Sequence, residues 1–316
     1  MISFVFGPED LGRVRYAISP LFELVSSLDV LRDPAAHSLH EPWAGEARKA
    51  VKDLDFWLLD AAAPEVGYCY RPDFIAPPPT KPVAELNEEL ERVRKTSHEQ
   101  VARELGWAYP RGLPAGAQRL LDEGLDGLID AMAVYWERAI EPHWPEVKAI
   151  LEADIASRAA QLAAAGPLAA LSDLHRDVAY SEGRLEIRRP YEETVELDGR
   201  GVLLIPSVFS WPRVWAMFDP PWQPSLVYTA RGTGELWAPA KKPNDALSAL
   251  LGKRRAEILT QLPASTQELA QRLNASPGGV SEHLGVLRDA GLVAGRRDGR
   301  EVRYVRTDTG EALTGS

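Results

Sequence analysis

Five arginines fall within eleven residues near the end of the chain, Arg296, Arg297, Arg300, Arg303 and Arg306, opposed only by Asp298 and Glu301. Guanidinium forks match phosphate oxygens and fit a narrow minor groove, so this stretch suits a polyanion. A solvated hairpin whose charges keep a strand edge from aggregating is the other reading. Just upstream, Ser276 offers an N-cap oxygen and Pro277 takes the first helical position, where its missing N–H costs nothing. A helix is therefore expected to start here and reach Ala290 before Gly291. Before it, Ser265 or Thr266 caps a short helix over 267–272, with Glu268 near the offset of a reciprocal capping box. Two helices joined by the Asn274-Ala275 turn form a helix-turn-helix, whose second helix presents its N-terminal turns to the major groove. Strands over 292–297 and 300–306, around the Asp298-Gly299 pair favoured in two-residue hairpins, then make a wing.

Elsewhere, residues that could do chemistry lack companions. His37 and His40 could bring two imidazoles to one ion, but Pro34 and Pro42 flank them and no third strong donor follows, so a surface loop is expected. Arg231-Gly-Thr-Gly234 lacks the following helix that a phosphate cradle needs, and reads as a turn. Glu192 and Glu193 read as a solvated strand connection. No Gly-x-Ser-x-Gly elbow, P-loop or His-Glu-x-x-His occurs, so no catalytic residue is assigned and an enzyme is not expected. Cys69 is the single cysteine, which rules out an internal disulfide and a thiolate zinc cluster; neither metal nor cofactor is expected. Aromatic residues concentrate at Trp211, Trp215, Phe218, Trp222, Tyr228 and Trp237. They could line an apolar ligand pocket, form a sheet core or build a subunit interface. As ligand residues the candidates are Trp211, Trp215, Trp222, Tyr228 and Trp237, with at least two indoles facing a cavity near the junction with the C-terminal domain.

The elements that must position these residues follow from composition and periodicity. The 316 residues are 45% hydrophobic and 26% charged, a globular rather than disordered composition, and fit two or three domains. Apolar residues recur three and four apart over 11–31, 43–60 and 83–105, as in Leu86, Leu90, Val93, Val101 and Leu105, which predicts amphipathic helices. Between the last two, Ala76-Pro-Pro-Pro-Thr-Lys-Pro82 reads as a stiff connector. A helix from 118 to about 140 breaks at Pro142 and Pro145, resumes through an alanine-rich run to Gly166-Pro167, and a short helix follows through Leu174. Then the period changes: Leu185, Ile187, Val195 and Leu197 alternate with charged residues, and 201–207 and 226–229 are continuous apolar runs, which predict several antiparallel strands. Pro239, two lysines and Pro243 mark a domain boundary. The expected fold is α+β: a mainly helical N-terminal domain with a small antiparallel sheet over 1–240, then a winged helix-turn-helix over 244–310. The latter opens with one helix carrying Leu247, Leu250, Leu251, Ile258, Leu259 and Leu262 on one face and ending at Pro263.

Charge divides at the same place. The chain is net −10, but residues 241–316 hold 12 Lys and Arg against 9 Asp and Glu, net +3, leaving 24 against 37 for the rest. DNA affinity needs a local basic face rather than a basic protein. No window nears the roughly 18 apolar residues needed to span a bilayer, and the start lacks a basic n-region and apolar h-region, so a soluble cytoplasmic protein without membrane contact is expected.

Leu250-Leu-Gly-Lys-Arg-Arg-Ala-Glu-Ile-Leu259, Thr266-Gln-Glu-Leu-Ala270, Ser276-Pro-Gly-Gly-Val-Ser-Glu-His-Leu284, Leu287-Arg-Asp-Ala-Gly-Leu-Val293 and Arg297-Asp-Gly-Arg-Glu-Val-Arg-Tyr304 resemble, in order and spacing, the arsenic-repressor (ArsR) family of bacterial winged-helix regulators. The layout, with Val202-Leu-Leu-Ile-Pro-Ser-Val-Phe209 and Leu226-Val-Tyr-Thr-Ala-Arg-Gly232, also resembles actinobacterial regulators that carry an uncharacterised N-terminal domain. The resemblance implies that Pro277, Gly278, Gly279, Ser281 and Glu282 face bases, and that Thr266, Gln267 and His283 lie near phosphates. Ser276 at the cap and Arg296, Arg297, Arg300 and Arg303 of the wing complete the expected interface. His283, at helical spacing with Val280 and Leu287, could instead pack or cap. Gly278 and Gly279 stand where hydroxyl side chains are usual, so backbone approach and shape readout replace some direct readout. Metal sensing of the family type is disfavoured, because the second helix and the residues after the wing hold neither cysteine nor histidine. With only 307–316 after the wing, a terminal dimerisation helix is not expected, and pairing is assigned to the N-terminal region. The implied function is a repressor on double-stranded operator DNA, a homodimer relieved by a small organic ligand. Its rivals are a constitutive dimeric regulator, a protein-interaction module and an enzyme with an autoregulatory winged helix.

Overall fold

The computed structural model describes residues 1–64, 70–237, 245–298 and 301–314. Two compact units result, Met1–Trp237 and Ala238–Ser316.

The first unit opens with β1 (Ile2–Val5) and β2 (Arg15–Tyr16), then α1 (Pro20–Arg32), α2 (Glu41–Ala50) and α3 (Trp57–Ala62). Periodicity alone merges segments that local capping separates. α1 starts only at Pro20, where the Ser19 hydroxyl accepts the Phe22 N–H at 3.1 Å. The expected helix over 83–105 is α4 (Leu86–Arg94) and α5 (His98–Ala108), because Ser97 caps the second by accepting the Gln100 N–H. α6 (Ala115–Glu123) and α7 (Asp126–Tyr135) follow. The chain then passes through a wide π-helical turn, Trp136–Ile140, and a tight 3-10 turn, Glu141–His143, into α8 (Trp144–Ala165), where Pro145 sits harmlessly in the first turn. α9 (Pro167–Leu171) closes the helical part. The proline run at 77–79 is buried rather than a free connector: Arg92 donates to the Pro77 and Pro78 carbonyls, and Val83 bridges Ile18.

Six strands complete this unit: β3 (Val178–Ser181), β4 (Arg184–Ile187), β5 (Glu193–Glu196), β6 (Leu203–Ser207), β7 (Trp215–Met217) and β8 (Ser225–Thr229). Instead of one small antiparallel sheet there are two mixed sheets, ordered β3-β4-β1-β5 and β2-β6-β8-β7. β1 is antiparallel to β4 but parallel to β5, and β6 is parallel to both β2 and β8. The first strands of the chain thus enter sheets built from residues far along it. β6 is buried along its whole length, as expected of a parallel strand covered on both faces. Buried residues of α1–α8, β6 and β8 form one core, and a second core lies between the two sheets and α9.

The second unit comprises α10 (Asp245–Leu251), α11 (Lys253–Thr260), β9 (Ala264–Ser265), α12 (Thr266–Arg272), α13 (Pro277–Asp289), β10 (Val293–Asp298), β11 (Glu301–Arg306) and α14 (Asp308–Thr314). The expected opening helix is broken at Gly252, whose φ of 81° is left-handed, and Leu250 just before the break is 67% exposed rather than core. β10, β11 and β9 form an antiparallel sheet. The residues after the wing, expected as a short tail, fold as α14; Gly310 lets it approach the Leu292 carbonyl with no room for a Cβ. Fold class is α+β, with a helical N-terminal region and a C-terminal helix-turn-helix that carries its own antiparallel sheet.

Candidate nucleic-acid interface

α12 is held by a complete capping box: Ser265 Oγ accepts the Glu268 N–H at 3.3 Å, and Glu268 Oε2 accepts the Ser265 N–H at 2.8 Å. Ser265 rather than Thr266 is therefore the cap. At the turn, Asn274 adopts a left-handed φ of 46° and the Ala275 N–H donates to the Ala270 carbonyl at 2.9 Å. Ser276 Oγ then accepts the Gly279 N–H at 3.2 Å, with Pro277 in the first turn of α13. At the other end, Gly291, with φ 70°, donates to the Arg288 carbonyl, and Leu292 donates to the Leu287 carbonyl. That closure satisfies the last carbonyls and turns the chain into β10.

Val280, Leu284 and Leu287, one heptad of α13, are buried against Ile258, Leu259 and Leu269. The opposite face of α13 is left to Gly278, Ser281, Glu282, Gly285 and Arg288. Of the expected contact residues, Gln267, Ser276, Pro277, Gly278, Ser281 and Glu282 are exposed or half-buried, as are Thr266, Gly279 and His283, so none of them is core. No atom lies within 4 Å of where a Cβ on Gly278 or Gly285 would stand, so neither glycine is required by the unit's own packing. The face offers one hydroxyl, one carboxylate, one guanidinium and bare backbone; Glu282 can accept from a cytosine amine in a major groove.

The wing arginines divide by role. Cross-strand register places Arg296 opposite Arg303 and Arg297 opposite Val302. Arg296 and Arg297 are exposed. Arg303, whose side chain is 16% exposed, sits 3.4 Å from Glu268 Oε1 and so ties the wing to the first turn of α12. Arg306 is structural: its guanidinium donates to Glu311 at 2.9 Å and to the Leu259 and Leu262 carbonyls at 3.1 and 2.5 Å. Arg300 lies outside the described residues. Like charges directly across a strand pair oppose each other. Glu268 relieves Arg303, and an external anion would relieve Arg296.

Two of the five aromatic candidates share a partner, and the other three have separate ones. Trp211 and Trp237 both meet His40, the latter donating its indole N–H to His40 Nδ1 at 2.8 Å. Trp215 stacks under the Arg71 guanidinium, Trp222 donates to Glu104 Oε1 at 2.9 Å, and Tyr228, fully buried, donates to Asp154 Oδ2 at 2.6 Å. His37 and His40, expected in a surface loop, are buried. Burial, with His37 alongside, pushes the His40 imidazole down to about 4, so it is neutral near pH 7. Nothing in the His37 and His40 spacing signals this, because the rings that enclose His40 come from residues 209, 211 and 237. Among the described residues no three metal-ligating side chains gather, and no helix is long and apolar enough to cross a membrane.

Residues 253–296, from α11 through the start of the wing, match a family model described as a helix-turn-helix domain. Residues 128–234, running from α7 to the turn after β8, match a family of unknown function (DUF5937). Over 66 residues, 20% of this chain, the sequence is 42% identical to the HTH-type transcriptional regulator NmtR of Mycobacterium tuberculosis (strain ATCC 25618 / H37Rv), and the matched stretch spans 55% of that protein. No solved structure matches. A stretch of the first unit is thus similar to the DUF5937 family, and the second unit is similar to a helix-turn-helix of the ArsR type.

Proposed function

We propose that this protein is a DNA-binding transcription regulator, a homodimeric cytoplasmic repressor whose hold on a double-stranded operator is set by a small organic molecule bound in the N-terminal unit. The observation that carries the DNA-binding part is the exposed face of α13 together with exposed Arg296 and Arg297 on the adjoining wing. A helix face with one hydroxyl, one carboxylate and one guanidinium is suited to base edges, and the wing guanidinium groups beside it are suited to phosphates. The similarity to a protein named as a transcriptional regulator supports the same reading. Dimerisation is assigned to the N-terminal unit, the larger of the two, because two-fold operators call for two-fold proteins. An effector acts by binding one spacing of the two winged helices more tightly than another.

Footprinting on the DNA flanking the gene, followed by titration of the protected site at several salt concentrations, tests this. Replacing Arg296 and Arg297 by Ala should weaken binding to all duplexes and reduce the log-log salt slope by about one unit for each phosphate that is no longer neutralised. Ser281→Leu should abolish operator binding with the melting temperature unchanged. Absence of any protected site, or an unaltered salt slope in the double variant, overturns the reading.

A further inference from the structure

The ends of α1 and α2, the 51–56 segment and α3 enclose a cleft of about 280 Å³ in the N-terminal unit. Its apolar lining includes Leu28 and Val51, which are buried, and half-buried Leu31, Leu54 and Phe56. Its polar lining is Arg32, Arg48, Lys52 and Asp60, three cations to one carboxylate. That sign is opposite to the surroundings, since residues 1–240 hold 24 basic side chains against 37 acidic ones.

The one acid is already engaged, since Asp60 Oδ1 takes Arg32 Nη2 at 2.7 Å and Nε at 3.2 Å. Arg32 Nη1 is buried without a hydrogen-bond acceptor among the described residues; the nearest carboxylate oxygen, Asp29 Oδ1, is 3.5 Å away and equally unsatisfied. Arg48 donates to the neutral Leu31 carbonyl at 2.8 Å. Among the described residues neither Arg48 nor Lys52 has a carboxylate within ion-pair distance. Cations near the C-terminal ends of α1 and α2 are favoured by the helix dipoles, which explains their position along the chain. The dipoles do not explain an apolar depression left open beside them.

We propose that this cleft is the effector site of the N-terminal unit and binds a small organic anion, a monocarboxylate with one aromatic ring or a short alkyl chain. The hydrocarbon body lies against Leu28, Val51 and Phe56, and the carboxylate meets Arg32, Arg48 and Lys52. The volume, just under the roughly 300 Å³ at which ordinary ligand pockets begin, suits a body of that size. This inference rests on the reading of the N-terminal unit as a sensor and supplies its ligand class.

The test is isothermal titration of the full-length protein, without DNA, using phenylacetate and hexanoate as probes and phenylacetamide as the neutral control. A ligand of this size in such a site should bind with a Kd of about 1 mM or tighter, and the amide about tenfold more weakly. The exposed double variant Arg48→Glu with Lys52→Glu should lose about tenfold for the carboxylates and nothing for the amide. The milder Arg48→Ala with Lys52→Ala, also titrated, gives a smaller loss and covers a folding defect in the first. No saturable binding of either carboxylate, equal binding of the amide, or indifference to both double variants would overturn the site. Because DNA is absent from the titration, loss of this site leaves operator binding intact, and failure of operator binding leaves this site intact.

Discussion

At the scale of single residues, similar side chains do different work according to what surrounds them. Arg297 and Arg306 lie on the same hairpin, yet only the first is exposed, while the second is bound to two carbonyls and Glu311. Arg306→Ala should therefore destabilise the protein by about 1–3 kcal/mol, because the Leu259 and Leu262 carbonyls lose their donor. Arg297→Ala should leave the melting temperature unchanged and weaken DNA binding; chemical denaturation of both variants distinguishes the roles. Buried acids supply a second case. Glu89 accepts the Ser19 hydroxyl at 2.6 Å and the Leu21 N–H at 2.8 Å, and burial pushes its carboxyl up to about 7 from an ordinary 4.5. The folded state thus favours the protonated acid: the contribution is complete below pH 4.5 and lost as pH rises through about 7. Glu89→Gln keeps the neutral form and an acceptor for Leu21. Relative to the variant, the native protein should lose on the order of 3 kcal/mol between pH 4.5 and about 8, and a pH-independent difference would refute this.

At the scale of elements, α13 carries a cost that its own packing does not require. Gly278 and Gly285 lie on its outer face, have ordinary helical backbone and meet no neighbouring atom, while each costs a helix about 1 kcal/mol relative to Ala. Gly278→Ala should accordingly stabilise the protein by up to about 1 kcal/mol in denaturant titrations. If α13 approaches DNA by its backbone, the same change should weaken operator binding several-fold in a footprinting titration. A variant that gained stability and kept full affinity would place the close approach elsewhere. The wing is likewise coupled to α12 through Arg303 and Glu268, so the two elements form one surface rather than two independent ones.

At the scale of the whole molecule, charge and domain structure divide together, with the acidic bulk in the first unit and the net positive charge in the second. α14 folds back on the wing at Gly310, where its contact with Leu292 uses the face nearest the unit's core. If the proposed homodimer pairs through the first unit, a chain ending at Ala240 should also be a dimer by sedimentation or light scattering, since it keeps that whole unit. A monomeric fragment beside a dimeric full-length protein would move the two-fold contact into the C-terminal unit, and a monomeric full-length protein would remove the spacing mechanism altogether.

The helix-turn-helix was legible because its determinants are local. Ser265 and Glu268, Ser276 and Pro277, and Gly291 each act on backbone groups within five residues, and Val280, Leu284 and Leu287 mark the buried face by spacing alone. The roles of Arg303 and Arg306 were not legible, because their partners come from other elements of the unit. The N-terminal unit was legible only in part: the runs that become β4, β6 and β8 announce themselves, but β1 and β2 reach their sheets from the far end of the chain, and pairing at that distance leaves no periodic trace. Burial of His37 and His40, and the cationic lining of the cleft beside α1, are likewise products of tertiary packing, which brings together side chains that spacing along the sequence keeps apart.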